Sequence, residues 1–141
     1  MKNYSDLQDI NTRLDLHIEL ELIGTPDFTI GINNIINDYN GLSDNIVLDY
    51  QFDLFDLFDI NIKLRNKIYT LEYETAIIIK NISIDNINII PKYDYLAEYV
   101  NDHDFKDPTS YLGFNGKWRL TTDRPFYHWL HQRTGQGWLI G

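Results

Sequence analysis

Leu14-Asp15-Leu16-His17-Ile18-Glu19-Leu20-Glu21-Leu22 sets Leu or Ile at every second position, with Asp, His or Glu between them. That period of two belongs to a β-strand, whose successive side chains point to opposite faces. Leu14, Leu16, Ile18, Leu20 and Leu22 are expected in a core, while Asp15, His17, Glu19 and Glu21 meet water. Wound as a helix, the same residues would scatter their apolar side chains around the axis. Gly24 and Pro26 then end the strand, because both favour a turn. A second strand, 28–32, follows as a hairpin partner.

Beyond it, residues 33–45 mix apolar side chains with Asn, Asp and Gly and read as a loop, with Asn40-Gly41 as a tight turn. Alternation returns at Ile46, Leu48, Tyr50 and Phe52, and again at Ile60, Ile62 and Leu64, predicting two more strands. The Asp53-Leu54-Phe55-Asp56-Leu57-Phe58-Asp59 stretch between them repeats Asp every third residue and suits a turn or short helical piece. Further strands are predicted at 68–73, 76–82 and 83–90, closed by Pro91, which lacks a ladder donor. Residues 92–110 are polar and read as a long loop, with one helical turn near 93–100. Tyr111 to Phe114, Asn115-Gly116 and Lys117 to Leu120 read as a hairpin, since Asn-Gly populates the two left-handed positions of a type I′ turn. Pro125, Phe126, Trp129, Leu130 and Arg133 fall at helical spacing up to Gly135, predicting one helix, 125–134, followed by an extended tail at 137–140. The expected architecture is mainly β. It is an antiparallel β-sandwich, jelly-roll-like, with one short C-terminal helix.

A chain of 141 residues, 43% hydrophobic and 14% aromatic, is long and apolar enough to bury one core. One domain over 1–141 is expected, with a hairpin–helix extension at about 111–141. No apolar run approaches the roughly 18–20 residues of a membrane-spanning helix. Met1 to Asp6 is polar where a signal peptide would be apolar, so cytosolic synthesis is expected. The absence of cysteine excludes disulfides, thiolate metal sites and cysteine nucleophiles. A net charge of -9 argues against a nucleic-acid groove, which depends on clustered Lys and Arg.

Several constellations could carry chemistry. Asp102, Asp104 and Asp107 crowd one loop, a density compatible with Ca²⁺, whose shell takes oxygen ligands; the alternative is a solvated acidic loop without the glycine and glutamate of an EF-hand. Trp118, Trp129 and Trp138, with Tyr127, are candidate platforms for a sugar or another flat ligand, against core filling as the alternative. His128 and His131, three apart on the expected helix, share a face but lack a third zinc ligand. No nucleophile elbow or glycine-rich phosphate loop is present, so a catalytic reading has no residues to rest on.

Residues 14–90 resemble a jelly-roll carbohydrate-binding module of the calcium-dependent, xylan-binding type. Leu16 to Thr25, Phe28 to Asn33 and Ile82 to Ile89 carry the resemblance. It implies a non-enzymatic sugar-binding domain with Ca²⁺ held by loop carboxylates, and it adds Asp85, in a matching strand context, to the metal candidates. Asp123 to His131 and Gly135 to Leu139 depart from that family. They are similar to uncharacterised proteins of marine tailed phages, which implies a virion or host-interaction role. The leading expectation is a binding module for a glycan or protein partner in a phage-like system. The rival is a virion assembly protein that meets neighbouring copies as a homo-oligomer, and a third class is a metal-dependent hydrolase using His128, His131 and acidic residues.

Overall fold

The computed structural model describes residues 13–134 apart from 54, 55 and 71. Its strands are β1 (Arg13–Ile23), β2 (Asp27–Ile32), β3 (Ile35–Tyr39), β4 (Ile46–Asp53), β5 (Asp59–Arg65), β6 (Ala76–Ile84), β7 (Ile87–Ile90), β8 (Glu98–Asn101), β9 (Tyr111–Leu112) and β10 (Gly116–Thr121). A 3-10 turn, Asp94–Leu96, precedes β8, and one helix, α1 (Phe126–Thr134), follows β10. The strands form two five-stranded sheets. One runs β4-β1-β6-β7 with β9 also on β6; the other runs β3-β2-β5-β10-β8. Every pairing is antiparallel.

The alternation in β1 does what its period demands: Leu14, Leu16, Ile18 and Leu20 are at most 1% exposed. They join one core with Phe28, Ile30 and Ile32 of β2 and Ile60, Ile62 and Leu64 of β5, so the sheets pack face to face as a β-sandwich. Each such side chain contributes roughly 1.5–3 kcal/mol by leaving water. On the solvent side of β1, His17 Nδ1 lies 2.6 Å from Asp49 Oδ1 and Nε2 lies 2.9 Å from Glu19 Oε1. Carboxylates only accept, so engaging both requires an N–H on each ring nitrogen, the imidazolium form. The hydrogen bond to Glu19, then that to Asp49, raises the His17 pKa accordingly.

One end of the sandwich is shut. Phe126, Trp129 and Leu130, at helical spacing on α1, are buried there, and the Phe126 ring meets Phe58 edge-on at 6.4 Å. Thr122 is the buried polar side chain among the described residues; its Oγ1 accepts from Phe58 N–H at 2.8 Å, while its own N–H donates to Phe58 O at 2.9 Å. The α1 ladder starts with Trp129 N–H donating to Pro125 O at 3.0 Å. Pro125 thus opens the helix as expected, whereas Gly135 and the 137–140 tail lie outside the described residues.

Several expectations need correction. Residues 35–39, read as loop, pair with β2 across the two-residue turn Asn33-Asn34, where Asn33 takes φ 53°. Asn tolerates that left-handed geometry, and the turn is a hairpin signal that the surrounding polar residues obscured. Of the stretch 68–73, read as a strand, the described residues 68–70, 72 and 73 lie outside any strand. The break expected between 82 and 83 falls instead at Asp85-Asn86, both left-handed with φ 53° and 65°.

The Asn115-Gly116 hairpin is also absent. β9 pairs with β6 in the first sheet, whereas β10 lies between β5 and β8 in the second, so residues 113–115 cross from sheet to sheet. Gly116 is needed for close approach: a Cβ there would sit 2.2 Å from Val100 O and 2.6 Å from Asn101 Cα. The 111–121 stretch is therefore built into both sheets.

Candidate functional site

The other end of the sandwich is open, and three segments gather there: 66–75 after β5, 102–110 after β8, and 113–115 before β10. Between them lies a cleft of about 610 Å³, bordered by Lys67, Tyr69, Tyr73, Glu74, Phe105 and Tyr111, with Glu72 and Phe114 also lining it. This is within the roughly 300–1,000 Å³ typical of small-ligand sites. Tyr69, Tyr73, Phe105 and Tyr111 are 40%, 64%, 37% and 41% exposed, a concentration of aromatic surface held in water.

Asn115 ties these segments together. Its side-chain oxygen accepts from Lys67 N–H at 2.7 Å and its Nδ2 donates to Lys67 O at 3.0 Å, so one amide takes both backbone groups of Lys67. Its own N–H donates to the Tyr69 hydroxyl at 2.7 Å, and its carbonyl accepts from Asp102 N–H at 3.0 Å. This is why the β-prone Ile68-Tyr69-Thr70 run leaves the sheet: the side chain of Asn115 satisfies Lys67 where a neighbouring strand would otherwise be needed. The Tyr99 hydroxyl similarly clamps Phe114, accepting from its N–H at 3.0 Å and donating to its carbonyl. Burial of that phenol pushes its pKa up to about 12.

The charges are neutralised in place. Lys67 has a side chain only 7% exposed; its Nζ donates to Gly113 O at 2.6 Å, pairs with Glu74, and stands 5.6 Å from the Tyr69 ring centre. The Lys67 hydrogen bond holds the Glu74 carboxyl below its usual range, and the Tyr111 hydroxyl donates to the same carboxylate at 3.1 Å. Tyr69 donates to Asp102 Oδ1 at 2.6 Å, which lowers the Asp102 pKa, with His103 adding to the effect. The His103 ring stacks on Phe114 at 4.2 Å. The cleft therefore presents pinned aromatic faces beside polar groups already oriented by partners, an arrangement able to hold a polyhydroxylated ligand by its apolar face and its hydroxyls.

The residues singled out from sequence are placed differently. Trp118 and Trp129 are 1% and 2% exposed and belong to the core, so neither ring is a platform. Trp118 faces inward because the β10 alternation puts it with Leu120 on the core face and Lys117 and Arg119 on the other, and Trp129 because α1 covers the closed end. Tyr127 is half-buried on α1, where its hydroxyl bonds Asp85, while Trp138 lies outside the described residues.

Asp85 sits in the β6–β7 turn at the closed end, and Asp102, Asp104 and Asp107 sit at the open end. The β6 strand spans roughly 25 Å between those ends, so the four cannot share one ion. Asp102 is bound to Tyr69 and His103, and Asp104 pairs with Lys106 at 2.7 Å. Among the described residues no three His, Asp or Glu side chains converge to hold a metal; this includes His128, exposed on α1, and the half-buried His131. The residues present thus do not fit the calcium set expected from the sequence. The exposed rings of Tyr69 and Tyr73 were missed because 68–73 read as a strand, although both tyrosines beside Glu72 and Glu74 were visible in the chain.

With this geometry in view, the two-sheet antiparallel β-sandwich is a fold also seen in a solved carbohydrate-binding module. The chain is similar to vCBM60 solved in complex with galactobiose, with a TM-score of 0.50 and 8% identity, over 75% of this chain and 96% of that one. A selenomethionine form of vCBM60, described with a circular permutation linking two families of calcium-dependent carbohydrate-binding modules, gives a TM-score of 0.47 and 9% identity, over 76% of this chain and 89% of that one. The likeness is one of fold. No protein family and no curated protein matches the chain by sequence.

Proposed function

We propose that this protein is a non-catalytic glycan-binding module whose site is the open-end cleft. The observation that carries the proposal is the group of exposed aromatic rings, Tyr69, Tyr73, Phe105 and Tyr111, around one concave surface. Leaving four large rings in water forfeits burial, and the C–H faces of a pyranose ring would recover it. Glu72, Glu74 and Thr109 offer groups for the hydroxyls. Among the described residues that line the cleft the cation is Lys67, which is already spent on Glu74 and Gly113 O, and the ligand class is a neutral glycan.

The test is retention of the full chain in affinity gels containing neutral polysaccharides, followed by calorimetry on the best ligand. Tyr73→Ala and Tyr69→Ala should each weaken binding about tenfold or more, corresponding to about 1.4 kcal/mol. Unchanged retention in both variants would reject the cleft as the site. A rival assembly role draws on Ile36 and Val100, 70% and 73% exposed on the edge strands β3 and β8. Sedimentation separates the readings, since a concentration-dependent oligomer lost in Ile36→Lys would favour assembly.

A further inference from the structure

A second, smaller hollow of about 270 Å³ lies against β8, on the far side of the 105–109 segment from the main cleft. Phe105 and Thr109 line both. We infer that the two hollows form one continuous binding surface that crosses Phe105, and that its ligand is an internal stretch of a linear, neutral oligosaccharide rather than a terminal sugar. This inference rests on the glycan-binding reading above.

Three observations carry it. The backbone that carries the shared ring is held in place: Asn101 Oδ1 accepts from Phe105 N–H at 3.0 Å and Asn101 Nδ2 donates to Phe105 O at 2.9 Å. The Phe105 ring centre stands 6.0 Å from that of Phe114, which lines the main cleft. At the far side of the second hollow, Tyr95 leaves 53% of its surface in water although its backbone is held in the 3-10 turn, where Leu96 N–H donates to Tyr93 O at 3.0 Å and Ala97 N–H to Asp94 O at 3.2 Å. A pre-organised exposed ring pays little ordering entropy on binding. Finally, the charges along the second hollow give no excess of cations: Lys106 is paired with Asp104 at 2.7 Å, and Glu98 and Asp107 are acidic. That balance suits an uncharged chain and disfavours a uronate.

An oligosaccharide reaching Tyr95 gains contacts that a disaccharide in the main cleft cannot make. Calorimetry on the full chain with disaccharides and hexasaccharides of linear xylan, galactan, glucan and mannan tests this. In the best-binding series the hexasaccharide should bind about tenfold or more tightly than the disaccharide. Tyr95→Ala, a surface change expected to keep the parent melting temperature, should cut hexasaccharide affinity toward that of the disaccharide and leave the disaccharide unaffected. Equal wild-type affinity for the two lengths, or equal losses for both in Tyr95→Ala, would overturn the extended surface while leaving the main cleft intact. No binding of either length in any series would overturn the extended surface and the glycan reading together.

Discussion

Replacing Lys67 with Met removes a nearly buried ammonium while keeping its apolar stem. In the parent, Nζ serves Gly113 O at 2.6 Å and Glu74, and stands over the Tyr69 ring. A hydrogen bond from a charged donor contributes about 1.5–3 kcal/mol, and a half-exposed ion pair adds about 0.2–1. Lys67→Met should therefore cost about 2–4 kcal/mol, which lowers the melting temperature by roughly 5–15 °C for a chain of this size. Glu74→Gln loses only the ion-pair part, at most about 1 kcal/mol, because Lys67 keeps Gly113 O. Circular-dichroism melts of both variants measure the two costs. The Glu74 carboxyl is held below its usual range by Lys67, so the stability it contributes is present above its unfolded pKa and lost as pH falls through the folded one. The gap between parent and Glu74→Gln should accordingly exist at neutral pH and close on acidification. A Lys67→Met melt within about 2 °C of the parent, or a Glu74→Gln cost as large as that of Lys67→Met, would refute the assignment of Lys67 as the pin of the cleft wall.

Other outcomes follow from the same geometry. Gly116→Ala drives a Cβ to 2.2 Å from Val100 O and should destabilise by more than about 2 kcal/mol in chemical denaturation; a neutral result would mean that β8 yields there. The raised pKa of His17 means that its contribution is complete below the unfolded value and fades as pH rises through the folded one. His17→Gln should thus lose stability relative to the parent mainly on the acid side, and a pH-independent difference would contradict the imidazolium bridge. Treatment with EDTA should leave the melting temperature and polysaccharide retention unchanged, because Asp102 and Asp104 are separately engaged and Asp85 is at the other end. A drop in either would restore a cation to the site.

The core of the fold was legible wherever one strand face is dry and the other wet, since a period of two then writes burial directly into the chain. β1, β2, β4 and β5 belong to this class, and so does α1, whose Phe126, Trp129 and Leu130 spacing survives intact. β3 was not legible because none of its side chains is fully buried, leaving Ile35 and Ile36 with no pattern to follow. The Asn115-Gly116 pair misled for a different reason. Gly serves there to admit the backbone of β8, and Asn serves to bind Lys67, two long-range duties that look like a local turn from sequence alone. The candidate site shared that blindness in part. Burial of Trp118 follows the alternation of Lys117 to Leu120 and was open to reading, whereas exposure of Tyr69 and Tyr73 depends on a segment that Asn115 pulls out of strand pairing.

The sandwich is also polar end to end. Arg13 opens β1 at the shut end and α1 packs there on Phe58, so both lie at the opposite end of the sandwich from the cleft. A bead, a sensor surface or another polypeptide attached beside Arg13 or on α1 would leave the aromatic mouth facing outward. Immobilised formats should therefore report the same affinity whichever of those two positions is anchored.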